Sequence, residues 1–200
     1  MTQRRNTISL SDITLTFLSS VSSGHLCAAF LAFMTGHEVA GLGFLSVWLA
    51  AIVGVLRFGV SEKLFQQANS DLANLAAFVG YPLIGMSFAA QHYTSLDINV
   101  VFIGFMLVAW EALTRSFVES NKEAAKLATN IIFFVGPIAA VCHETKDYVT
   151  MGALAAFVVA GIVITPHHEN RIGGIRCVDL FHVVIGVTAY MFAMGLGGSA

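Results

Sequence analysis

Seven stretches of this chain stay apolar for about the 20 residues that a helix needs to cross the hydrocarbon core of a bilayer. They run approximately over Ile13–Met34, Val39–Phe58, Leu72–Tyr93, Ile98–Phe117, Ala125–Cys142, Tyr148–Pro166 and Cys177–Leu196. Inside lipid there is no water to satisfy a backbone N–H or C=O. A helix satisfies them within one segment, whereas an open strand does not. Strands of a membrane barrel would alternate apolar and polar residues over about 10 positions, and no such alternation is visible. The predicted fold class is all-α: a polytopic seven-transmembrane-helix bundle, one domain over 13–196, with a polar tail at 1–12 and a short tail at 197–200.

Composition agrees with a membrane setting. Hydrophobic residues make up 56% and charged residues 11%, against about 45–50% and 25% in ordinary soluble domains. Mean hydropathy is +0.78. These values exclude a disordered chain and a disulfide scaffold, and they argue against a soluble enzyme. A net charge of -2 gives no basic surface for nucleic acid, so none is expected as a partner. The expected partner is the lipid bilayer of an endomembrane or the plasma membrane, with a second integral membrane protein as a further candidate. The run after the polar start MTQRRNTISLSD is too long for a signal peptide and predicts a retained first helix. Cys27, Cys142 and Cys177 are expected to be free, buried thiols.

Orientation follows from Lys and Arg. With the N-terminus inside, the cytoplasmic segments hold Arg4, Arg5, Arg57, Lys63, Arg115, Lys122, Lys126, Arg171 and Arg176, and the other side holds only Lys146. Nine against one predicts N-in, C-out. The non-cytoplasmic connections are the short ones, at 35–38, near His92–Asp97 and at His143–Asp147.

An internal repeat is also suggested. Arg57, Arg115 and Arg171 are spaced by 58 and 56 residues. PheValGlyTyrPro at 78–82 matches PheValGlyPro at 134–137, and AlaAlaGlnHisTyr at 89–93 matches AlaAlaValCysHis at 139–143. The pattern predicts one lone helix followed by three helical hairpins. Pro82 and Pro137 fall inside spans, each just after a glycine region. Either neighbouring helices repair the kink, or the freed carbonyls hold an ion or substrate.

Ionisable groups inside spans are costly and mark candidate sites. Glu111 and Arg115 share a helix face one turn apart and can pair. Asp179 and His182, at i and i+3, can orient a general base, carry a proton, bind a cation, or simply cap the last helix. Asn74, Asn130 and Arg57 lie at the same cytoplasmic ends, where amides more often join helices than bind ligands. His167 and His168 follow Pro166; a metal there would need further ligands, and a solvated loop is the plainer reading. His25 follows Ser22, Ser23 and Gly24 near the middle of span one. No acid accompanies it for nucleophilic chemistry, so a hydrogen-bonded histidine on a small-residue packing face is expected.

Known chemistries of seven-helix proteins leave little trace here. The last span has no lysine for retinal and no HxxxH pair for zinc, and no HExxH, GxSxG or nucleotide loop occurs. No cofactor or metal is expected. The favoured reading is binding or transport of a small solute, ion or lipid through the cytoplasmic polar cluster Arg57, Asn74, Glu111, Arg115, Asn130, Asp179 and His182. A lipid-modifying hydrolase using Asp179 and His182, and an accessory subunit of a membrane complex, are the alternatives.

Overall fold

The computed structural model describes residues 24–93, 122–164, 170–172 and 175–197. Helices account for nearly all of them: α1 (Gly24–Met34), α2 (Glu38–Gly59), α3 (Glu62–His92), α4 (Lys122–Thr145), α5 (Tyr148–Val163) and α6 (Cys177–Gly197). Four segments, Glu38–Arg57, Glu62–His92, Lys122–Thr145 and Leu180–Gly197, are long and apolar enough to cross a membrane. Gly24–Met34 and Tyr148–Val163 are shorter apolar helices. This is the make-up of a helical membrane protein. Residues 13–23, the expected span at 98–117 and residues 165–169 lie outside the described residues. A short antiparallel pairing, Arg171 with Arg176 and Ile172 with Ile175, precedes α6 and is a small departure from an all-α chain.

The third helix corrects the expected start at Leu72. It begins at Glu62, after a turn at Val60–Ser61, and runs without interruption to His92. Counting apolar residues trims a helix to its lipid-crossing part. The polar turns before it are helical for another reason: side chains one turn apart support them, as where Gln67 Nε2 donates to Asp71 Oδ1 at 2.9 Å.

Both prolines are absorbed by a wide turn rather than a break. Residues Ala76–Gly80 and Ile131–Val135 are π-helical, and the helices continue from Tyr81 and Gly136. A π turn shifts the hydrogen-bonding frame by one residue: the Tyr81 N–H donates to the Ala76 carbonyl and the Gly136 N–H to that of Ile131. Each turn rests on a glycine of a neighbouring helix. A Cβ at Gly43 would stand 2.6 Å from the Gly80 carbonyl oxygen, and one at Gly85 2.3 Å from that of Phe133. Each of these contacts brings backbone of two helices together beside a π turn.

The core is aromatic. Phe44, Phe78, Phe134 and Phe192 are fully buried, with Ile84, Ile138 and Leu196. Phe134, Phe157 and Phe192 meet edge to face, with centroids 5.1 to 6.4 Å apart, and Tyr81 packs on Phe134 and Phe157. Outward-facing Phe30, Met34, Leu42, Ile132, Ile162 and Val187 are exposed. Such a surface suits lipid and not water. At the crossing of α1 and α6, a Cβ at Gly24 would stand 1.6 Å from the Gly186 carbonyl oxygen, so the backbones touch.

Candidate functional site

One end of the bundle is knitted together across helices. The α4–α5 connection turns sharply because Lys146 takes the left-handed conformation, with φ of 60°. Asp147 follows as the N-cap of α5. Its Oδ1 accepts from the backbone N–H of Val149 at 3.1 Å and of Thr150 at 3.0 Å. Oδ2 takes neither bond and lies 3.4 Å from the point where a side chain at Gly195 would begin. Thr150 Oγ1 is 2.4 Å from that point, so only glycine lets α6 close on the start of α5.

Glu144 joins α3 to α4. Its Oε2 lies 2.9 Å from His92 Nε2, and its Oε1 accepts from the Tyr93 hydroxyl at 2.9 Å. Gln91 Nε2 donates to the Leu196 carbonyl at 2.7 Å and ties α3 to α6. Glu144 sits just beyond the apolar run that stops at Cys142, and Tyr93 is the last residue of the run that begins at Leu72.

At this end lies a cavity of about 560 Å³, bordered by His92, Asp147, Thr150 and Gly195 together with Phe88, Cys142, Thr145, Met191 and Met194. Its size falls within the range of small-molecule sites. Its walls combine a carboxylate, hydroxyls, a thiol, two thioethers and an aromatic ring. His92 and Cys142 occupy equivalent places in the two matched stretches 89–93 and 139–143.

Those residues favoured from sequence that are described lie toward the other end. Arg57 Nη2 pairs with Glu62 Oε1 at 3.2 Å. Asn130 Nδ2 donates to the Lys126 carbonyl at 2.9 Å, while its Oδ1 is buried with no hydrogen-bond partner. Asn74 is half-buried just before the first π turn. His182 is half-buried, and its Nε2 lies 3.9 Å from the point where a Gly54 side chain would begin; Asn69 Oδ1 lies 3.2 Å from the same point. The missing Gly54 side chain thus opens a polar niche between α2, α3 and α6, to which Asn69 is an unanticipated contributor. Asp179 starts α6, but its side chain falls outside the described residues, as do Glu111, Arg115, His167 and His168. Among the described residues, no three His, Cys, Asp or Glu side chains gather to hold a metal.

Two local expectations change. The cysteines are free as expected, but Cys27 is exposed, because it falls on the outward face of α1 while Ala28 and Ala29 face in. His25 is buried on the small-residue face, yet neither ring nitrogen has a hydrogen-bond partner. The nearby Thr188 hydroxyl donates instead to the Ile185 carbonyl of its own helix at 3.0 Å.

The chain matches no protein-family model, no curated protein and no solved structure.

Proposed function

We propose that the chain is a seven-span membrane protein, N-in and C-out, that binds a small organic cation in the cavity at its non-cytoplasmic end and moves it across the bilayer. One observation carries the ligand class: Asp147 Oδ2, left over from capping, borders a mixed polar and apolar cavity. No lysine, arginine or histidine among the described residues forms an ion pair with Asp147. A carboxylate beside Phe88, Met191 and Met194 favours an ammonium group carried on an apolar body. The polar cluster at the cytoplasmic end, including Arg57, Asn74, Asn130 and His182, then serves the opposite mouth of the bundle.

The test is calorimetric titration of the purified protein in detergent with tetraalkylammonium and arylalkylammonium probes, each paired with its neutral isostere. The cations are expected to bind at least about tenfold more tightly, the equivalent of 1.4 kcal/mol. Asp147→Asn keeps the cap, since asparagine caps as well as aspartate, and is expected to remove the preference. Equal binding of cation and isostere, or an unchanged preference in Asp147→Asn, overturns the ligand class. Tags at Met1 and Ala200 test the topology: they are expected in opposite compartments, and a shared compartment overturns the odd number of spans.

A further inference from the structure

His25 is 2% exposed, in the centre of the bundle, with both ring nitrogens lacking hydrogen-bond partners. A polar group so placed is costly, and it is retained where the chain has a use for it. It borders a crevice too tight for a water molecule, shared with Phe44 of α2, Tyr81 of α3, Phe157 of α5, and Thr188 and Phe192 of α6. The groups near it that can carry a proton are the Tyr81 phenol and the Thr188 hydroxyl, which border the crevice, and His182, about one turn before the Gly186 whose carbonyl touches Gly24. His182 also borders the Gly54–Asn69 niche. The niche therefore lies about one α6 turn from the level of His25, on the side away from the cavity.

On the other side the crevice wall touches the cavity wall. Phe192 walls the crevice and Phe88 walls the cavity, and their rings meet edge to face with centroids 6.4 Å apart. From His182 to Gly195 the α6 helix rises roughly 20 Å, about two-thirds of the hydrocarbon thickness. The Phe88–Phe192 contact thus joins the wall of the His25 crevice to the wall of the cavity.

We infer that His25 is the proton carrier of a pathway from the His182–Asn69 niche, past the Phe88–Phe192 pair, into the cavity. A proton joins one imidazole nitrogen, and a proton leaves from the other. The ring ends neutral, and no electron moves. At rest the dry crevice and the aromatic pair hold the leak low. A solute pressing on Phe88 shifts the wall and couples its own movement to the proton. This coupling rests on the proposed solute cavity; the pathway itself does not.

The full-length protein is reconstituted in liposomes containing pyranine, and a potassium gradient with valinomycin drives protons inward. Acidification is expected several-fold faster than in protein-free vesicles. His25→Gln is expected to return it to the protein-free rate while eluting and melting as a folded protein. Phe88→Leu is expected to raise the rate, and to do so only where His25 is present. Should His25→Gln not fold, His182→Gln carries the test, with a several-fold slowing expected. A wild-type rate equal to protein-free vesicles, a folded His25→Gln that conducts like wild type, or an unchanged rate in His182→Gln overturns the pathway. Replacing external sodium by an impermeant organic cation is expected to leave the signal intact; a signal that needs sodium overturns the assignment to protons. A chain that binds ammonium probes but conducts no protons sinks this inference alone. One that conducts but binds no probe sinks the solute reading alone.

Discussion

The two ends of the bundle use polar residues in opposite ways. At the cavity end, beside the local Asp147 cap, three described bonds reach across the fold: His92 and Tyr93 to Glu144, 52 and 51 residues away, and Gln91 to Leu196, 105 residues away. At the other end four described pairs are local: Arg57 with Glu62, Gln67 with Asp71, Lys126 with Glu123, and Asn130 with the Lys126 carbonyl, all three to five residues apart. Long-range bonds fix where helices end relative to one another and leave space between them. Local bonds stiffen one helix and hold its charges at the membrane edge. A cavity therefore forms at the first end, and polar residues crowd the second without needing one.

The largest expected disturbance lies between the two ends. Gly24→Ala forces α1 away from the Gly186 backbone, which has no side chain to move aside. A loss of about 1–3 kcal/mol is expected, read as a lower melting temperature by circular dichroism in detergent. A melting temperature equal to wild type would show that the two backbones do not touch.

At the cavity end, Asp147→Ala is expected to cost about 1 kcal/mol through loss of the cap, and Asp147→Asn far less. If both cost the same, the carboxylate holds the α5 start by charge and not by its two hydrogen bonds.

Glu144→Gln loses the carboxylate that His92 and Tyr93 share and is expected to lower the melting temperature by less than Asp147→Ala does. A melting temperature unchanged in that variant would remove Glu144 from the network. Smallest of all, Glu123→Ala at the other end breaks a local, exposed pair and is expected to change the melting temperature immeasurably. A clear drop would show that this end is knitted too.

Much of this was legible in the residues. Helices at Val39–Phe58, Ala125–Cys142 and Cys177–Leu196 appear within a few residues of their expected bounds. The prolines announced themselves, and the matched stretches around Pro82 and Pro137 take the same π turn. The cavity was not legible. Nothing near His92 in the chain names Glu144, and Gly195 reads as one more small residue until α5 is packed against it. His25 was legible as a buried residue but not as an unpartnered one, because whether a hydroxyl on another helix turns toward it depends on rotation about that helix's own axis.

The sequence by itself determined the helical elements, their apolar lengths and the charge bias between their ends. Those properties follow from hydrogen bonding and hydration along a single segment, and each segment carries them alone. Only the tertiary structure decided which glycines became contact points, which end enclosed a cavity and which histidine was left dry. Those outcomes depend on how helices rotate and cross, and a rotation of one residue exchanges an inward side chain for an outward one.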